Sequence, residues 1–315
     1  MLIFANSPVS CYTTGMKTRT HLSLPVCAEQ DGRTVEQILR AVGVSRRLLI
    51  SLKKQTGSIR LNGEPVFVVV RVRAGDRLDI DLSAIRNPSG IVPTALPLSI
   101  VYEDEDVLVV NKPAGMPVHP SQGHYEDTLC NALAFRCRQA GEPFTAHAIG
   151  RLDRDTSGLV LLARHELAAC ILSQAMRERH IHREYRAVCC GCLPDSGTIS
   201  APIARAQAST IQRIVSPDGD PAVTHFRRLA YANGYSLAAV CLETGRTHQI
   251  RVHMKHIGHP LPGDFLYCLE DTVIARQPLH SYRLTFPHPL RGETLTFTAD
   301  IPDDMADILR IRPQT

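Results

Sequence analysis

The sequence predicts an α+β protein in two domains, and three features of its patterning predict it. Between Thr34 and Leu82, two short stretches of helical period run into a hairpin signal. Residues 83–98 then hold Pro88, Pro93 and Pro97 among Ser, Asn and Gly, which is linker composition. From Ser99 on, short apolar runs of strand length alternate with amphipathic helical stretches. The boundaries that follow are 1–31, an N-terminal extension; 32–82, a small module; 83–98, a linker; and 99–315, a larger domain.

Composition narrows the class. At 315 residues with 44% apolar and 21% charged, the chain can bury a sizeable core without help from disulfides. No apolar stretch approaches the ~20 residues that cross a bilayer. Met1 to Thr18 also lacks the basic start and apolar centre of an export signal. The expectation is a cytoplasmic monomer without membrane contact. Ten cysteines are scattered through the chain and read as reduced, mostly buried thiols. Cys189 and Cys192 form a C-x-x-C, but no second pair stands at zinc-finger spacing, so no metal is expected there.

The first 31 residues show no period, and Met16, followed by Lys-Thr-Arg, reads as a candidate second start. Val35, Ile38, Leu39 and Val42 fall on one helical face, and Gly43 is placed to end that helix. Ser45 caps a second helix with Arg46, Arg47, Lys53 and Lys54 outside and Leu48, Leu49 and Leu52 inside. A hairpin turning at Asn62-Gly63 follows, with strands 58–61 and 64–72, and then an alternating strand from Arg77 to Leu82. Residues 32–82 hold ten Lys or Arg against five Asp or Glu, a balance of +5 in a chain of net +4, which favours a polyphosphate partner.

In the larger domain, Ile100 to Tyr102 and Val107 to Val110 read as strands, closed by the proline-rich corner Asn111 to Pro120 with Lys112 at the rim of a cleft. An amphipathic helix spans 128–139. The organising stretch is Gly150 to Ser157 and Gly158, where two carboxylates, two guanidiniums and two hydroxyls precede the apolar run Leu159 to Ala163. So many polar groups cannot be buried unpaired, so they form a loop at the entrance of a core strand. A helix to about Arg179 places Leu167, Ile171, Leu172 and Met176 inward, and a basic segment follows with Arg177, Arg179, Arg183 and Arg186 around Tyr185. Residues 243–260 hold four histidines with Arg246, Arg251 and Lys255, cations that would repel a divalent ion, so a nucleic-acid-facing wall is expected rather than a metal centre.

These strings carry a resemblance. Arg151-Leu152-Asp153-Arg154-Asp155-Thr156-Ser157-Gly158 resembles the R-L-D-x-x-T-S-G motif of the RluA class of pseudouridine synthases, Arg183 to Ala187 resembles its K-x-Y-x-A motif, and Thr244 to His253 its T-G-R-T-H-Q-I-R-x-H motif. Asn111 to Pro120, Pro262-Gly263-Asp264 and Leu279-His280-Ser281 extend the match from about Ile100 to the C-terminus. Residues 32–82 resemble the α-L RNA-binding module first known from ribosomal protein S-four.

The resemblance implies a mixed, mainly antiparallel catalytic sheet and isomerisation of uridine to pseudouridine in structured ribosomal or transfer RNA, without a cofactor. It makes Asp153 the catalytic carboxylate, paired with Arg251, and places Tyr185 against the target uracil with Leu279 lining its pocket. Arg151, Arg154, Lys112, Arg246 and His248 are further candidates for substrate binding, and Arg46, Arg47, Lys53 and Lys54 for gripping RNA from the module. The chain departs from the family at Gly150, where His is usual.

The chemistry suits a carboxylate. The base–ribose bond breaks, the base turns and carbon 5 joins the sugar, which an ionised Asp can assist as nucleophile or base. A stacked target must first be flipped out. Two rivals are a glycoside or nucleoside hydrolase pairing Asp153 with Asp155, which would need the ~5–9 Å carboxylate spacing of such enzymes, and a non-catalytic RNA-binding factor.

Overall fold

The computed structural model describes residues 17–83, 90–142, 144, 147–207, 209 and 211–310; Met16 and Pro88 lie outside them. The small module comprises β1 (His21–Pro25), α1 (Val35–Ala41), α2 (Arg46–Lys53), β2 (Ile59–Leu61), β3 (Glu64–Pro65) and β4 (Arg77–Asp81). Thr34 and Ser45 accept backbone N–H bonds as the N-caps of α1 and α2. The sheet order is β1-β4-β2-β3, so the module's sheet starts at His21, ahead of the boundary expected at residue 32.

The expected strand 64–72 stops at Pro65. Beyond it the chain turns to the N-terminus of α1: the carbonyls of Val68 and Val70 accept from the N–H groups of Glu36 and Val35, and the carbonyl of Arg33 accepts from Val72. Helix termini leave N–H groups without intrahelical partners, and satisfying them here wins over extending a hairpin. Phe67 and Val69 are left 83% and 75% exposed.

Residues 90–98 do not hang free as a linker. Asn131 donates to the Val92 carbonyl at 2.7 Å, and Leu96 and Leu98 pack against the apolar cluster of the helix that holds Asn131.

The larger domain runs β5 (Ile100–Glu103), β6 (Val107–Lys112), α3 (Leu129–Gln139), β7 (His147–Ala148), β8 (Ser157–Ala163), α4 (Glu166–Arg177), β9 (His182–Cys190), β10 (Ser196–Ser200), β11 (Ile203–Arg205), β12 (Arg213–Val215), β13 (Val223–Ala232), β14 (Tyr235–Leu242), α5 (Gln249–His256), β15 (Leu279–Pro287), β16 (Thr294–Thr298) and α6 (Asp303–Leu309). Its central sheet has the order β10-β13-β14-β9-β15-β8-β6-β5, with β16 on β15 and β7 on β8. Every described pairing is antiparallel except β15 with β8, at His280 opposite Ser157 and Ser281 opposite Gly158. That joint explains the glycine of the T-S-G string. A Cβ on Gly158 would stand 2.4 Å from the Ser281 carbonyl oxygen, and its φ of +108° disfavours any side chain.

All seven residues of β8 are buried. Leu159 and Leu161 pack towards Leu172 of α4, and Val160 and Leu162 towards Leu129 and Leu133 of α3, so the apolar run is uninterrupted because both faces are covered. In the other half of the sheet, Ile250 and Met254 of α5 pack on Ala187 of β9 and Val240 of β14. Leu152 touches both this cluster and that of α3, which sets the loop before β8 at the seam between the two halves. The module shares its core with the larger domain through Leu167, Cys170 and Ile171 of α4.

The cysteines correct an expectation. Of the nine described, Cys130 and Cys189 are buried while Cys27, Cys192 and Cys241 are exposed, because the latter fall at turns or outward positions of their strands.

Candidate active site

The loop from Gly150 to Thr156 presents one carboxylate and fixes the backbone beneath it. Three consecutive carbonyls are each anchored. That of Asp153 accepts from Thr156 N–H at 3.1 Å, that of Arg154 from Lys112 Nζ at 2.9 Å, and that of Asp155 from Arg276 Nη1 at 3.2 Å. Arg276 is itself held by both oxygens of Asp304, at 2.7 and 2.8 Å. The Asp153 side chain keeps 26% of its surface open.

Asp153 meets Arg251 of α5, whose Nη1 donates to Oδ2 at 2.9 Å. The other side of that guanidinium is gripped by Asp264: Nε and Nη2 each donate to one carboxylate oxygen at 2.7 Å. Arg251 is 2% exposed and Asp264 fully buried. Asp264 is further fixed by the N–H groups of Leu266 and Tyr267, at 3.0 and 3.3 Å. Burial pulls the Arg251 pKa down, but the hydrogen bonds and charge of Asp264, then those of Asp153, more than reverse this, so the guanidinium titrates above its ordinary range.

His248, the N-cap of α5 at φ 58°, places Nε2 3.9 Å from Asp153 Oδ2 and Nδ1 3.0 Å from the Tyr267 hydroxyl. Burial lowers its pKa while Asp153 works in the opposite direction, and the net shift is downward, towards the neutral imidazole. His253 is occupied by Thr224 and the Ala201 carbonyl, and His259 by the Cys190 carbonyl.

The open space above the loop is a cleft of about 1060 Å³ whose lining includes Arg151, Arg154, Arg177, Arg179, Arg183 and Arg246 against two carboxylates, Asp153 and Glu243. Such a wall suits a polyanion. Arg154 spends its fork on Asp155, at 3.0 and 2.9 Å, so Asp155 is a local partner and does not line the cleft beside Asp153. Arg246 is tied to Asp220 and to the Pro221 carbonyl.

Three expected placements change. Lys112 is not at the rim: it is fully buried, with Nζ also donating to the carbonyls of Pro113 (2.9 Å) and Met116 (2.7 Å), because a strand-end ammonium under the loop replaces the donors those carbonyls lack. Tyr185 and Leu279 are 4% and 5% exposed and belong to the apolar cluster that Leu152 packs against, rather than lining the open cleft, since each is on the inward face of its strand. Asp264, Arg276 and Asp304 join the site although the sequence motifs assign them no role there. Only Asp264 carried a signal, an acid after Pro-Gly in a string already matched.

Among described residues, Asp104, Asp106 and His288 form a buried group of metal-ligand type. Arg19 and His165 already hold Asp106 at 2.5 and 2.9 Å, and Arg291 and His288 hold Asp104 at 2.5 and 3.0 Å, so the charge a cation would need is taken.

Comparison with known proteins bears on this arrangement. Residues 106–256, which include both the Asp153 loop and α5, match the RNA pseudouridylate synthase family model. The chain is 41% identical over 278 residues to the RNA pseudouridine synthase YjbO of Bacillus subtilis, covering 88% of this chain and 98% of that one. The chain belongs to the RNA pseudouridylate synthase family. The synthase is also 36% identical to the ribosomal large subunit pseudouridine synthase D of Neisseria meningitidis (serogroup A), over 96% of this chain and 84% of the relative. Its fold is similar to that of human RNA pseudouridylate synthase domain containing 1, with a TM-score of 0.56 at 26% identity over 65% of this chain and 83% of the other. The cleft brings together one partly open carboxylate, Asp153, and a wall of arginines.

Proposed function

We propose that this synthase converts uridine in large-subunit ribosomal RNA to pseudouridine in the cytoplasm, as a monomer, with Asp153 as the catalytic carboxylate. The observation that carries the reading is Asp153 itself, partly open in an arginine-lined cleft and tied to a buried Arg251 that Asp264 holds from behind. The Arg251–Asp264 pair keeps the Asp153 oxygens oriented before substrate arrives, which is how a fixed dipole or charge assists a reaction without reorganising. The target base is flipped over Leu152, which gives way to expose Tyr185 and Leu279 as the floor of the uracil pocket, while Arg151 and Arg246 face the backbone. Residues 32–82, with β1 completing their sheet, act as an S-four-type docking module; Arg46, Arg47 and Lys53 on α2 and Lys54 at its C-cap supply its charge. The large-subunit assignment draws on the named relatives, and mapping the pseudouridines missing from a deletion strain identifies the site.

Tritium release from RNA carrying 5-tritiated uridine tests the chemistry, because joining carbon 5 to ribose displaces that hydrogen. Asp153→Asn should fold, bind RNA and release nothing, whereas Asp155→Asn should stay active, since its carboxylate serves Arg154. Measurable release by the first variant, or complete loss in the second alone, would overturn the assignment.

A further inference from the structure

The cleft arginines differ in what occupies them. Arg154 is paired with Asp155, Arg179 with Glu243 and Arg246 with Asp220. Arg183, half-buried on β9 two residues before Tyr185, has no carboxylate or carbonyl within bonding reach among the described residues. Its guanidinium is nevertheless placed: a Cβ on Gly150 would stand 3.3 Å from Nη1, and a Cβ on Gly245 3.3 Å from Nη2. The fork thus lies between the first residue of the Asp153 loop and the segment that leads to α5. Gly150 is in the left-handed region at φ +85°, so the loop turns there without putting a side chain where the guanidinium sits.

A half-buried fork of N–H donors facing an open cleft, with its flanks cleared by glycine, is matched by a phosphate oxygen pair. We propose that Arg183 is a substrate-binding residue that takes the backbone phosphate of the flipped target nucleotide, and that Gly150 and Gly245 are needed to leave its fork open. This rests on the Asp153 reading for where the target lies. The strand supports the placement: residues i and i+2 share a face, so Arg183 and Tyr185 project to the same side, one at the cleft wall and one beneath it.

The test uses full-length protein and total RNA from a deletion strain grown with 5-tritiated uridine. Filter-binding affinity and tritium release are each followed at several salt concentrations. A phosphate contact binds ground state and transition state alike, so Arg183→Met should weaken affinity and raise KM about tenfold or more with kcat within about twofold. The log–log salt slope should fall by roughly 0.7–0.9. Arg183→Lys should restore the slope while recovering only part of the affinity, and Gly150→Asn, which tolerates the left-handed backbone but crowds the fork, should resemble Arg183→Met. An unchanged affinity and slope in Arg183→Met, or a fall in kcat that Lys does not rescue, makes Arg183 a structural wedge and refutes the proposal. If Arg183→Met does not fold, the same slopes measured on Arg183→Lys and Gly150→Asn decide it: a slope unmoved by Gly150→Asn refutes the proposal. Wild-type protein that releases no tritium instead removes the Asp153 reading, and the binding slopes still judge Arg183.

Discussion

Replacing Asp264 by Asn keeps the shape of the side chain and removes its charge, and the consequences can be worked from the structure. Arg251 is 2% exposed and two of its donors go to Asp264 at 2.7 Å. Charged hydrogen bonds of this kind are worth about 1.5–3 kcal/mol each, and stranding a buried charge costs about 3–5 kcal/mol. Because Asp153 still holds Nη1, the lower part of that range, about 3 kcal/mol, is expected in urea unfolding. One Asn position also becomes an NH₂ facing a guanidinium NH₂, so Arg251 turns away and Asp153 loses its fixed partner. A displacement near 1 Å at a reacting group costs on the order of a hundredfold, and single-turnover tritium release should slow by about that factor with RNA affinity intact. The double variant Arg251→Met with Asp264→Leu separates the effects. Removing both charges returns stability to within about 1–2 kcal/mol of wild type, but activity should stay lost. Recovery of turnover in the double variant, or an Asp264→Asn protein with wild-type rate, would refute the idea that the pair acts by holding Asp153.

Two other expectations follow from charge. The module shares its core with α4 through Leu167 and Ile171, so deleting it would bare an apolar face; replacing Arg46, Arg47, Lys53 and Lys54 together by Gln is the cleaner perturbation. If these four cations grip phosphates, the salt slope of RNA binding should flatten by up to about 2.8–3.6, and an unchanged slope leaves the module without that job. Lys112 offers a pH test. Burial pulls its pKa down to about 7, against the opposing charges of Asp155 and Asp153. Below pH 7 folded and unfolded chains both carry the proton; from about 7 to about 10.4 only the unfolded chain does, so stability should rise with pH there, by about 1.4 kcal/mol per unit. Lys112→Met should lack that rise in urea unfolding, and equal slopes for the two proteins would show that the ammonium titrates normally.

What the sequence revealed depended on whether the relevant physics was local. The cap at Ser45, the Asn62-Gly63 turn and the buried apolar run of β8 are set by neighbours in the chain, and the structure has each of them. The strand expected over 64–72 failed because its backbone partners are the N–H groups of α1, some thirty residues earlier. Lys112 was misplaced for a similar reason: the Arg154 carbonyl that draws it inward belongs to a loop 42 residues away. The Asp153–Arg251 contact was an expectation of family resemblance, and no spacing in the chain contains it. Asp264, Arg276 and Asp304 act on that loop or on Arg251 from still later in the chain, so their roles appear only once β15 has joined β8.

Pairing also divides the arginines by task. A guanidinium bonded to one carboxylate through two short hydrogen bonds has little left for a ligand, and displacing that carboxylate costs what the pair contributed. Arg251, Arg276 and Arg154 are spent in this way, on Asp264, Asp304 and Asp155, and the first two also hold the Asp153 carboxylate and the Asp155 carbonyl, which keeps the loop in one conformation. Arg151, Arg177 and Arg183 line the same cleft without a carboxylate partner among the described residues. Under the proposed function, rigid loop and unpaired wall are complementary: Asp153 is fixed in advance, and the substrate supplies phosphates to the second group. Neutralising Arg251 or Arg276 should therefore lower turnover, and neutralising an arginine of the second group should lower affinity and its salt dependence.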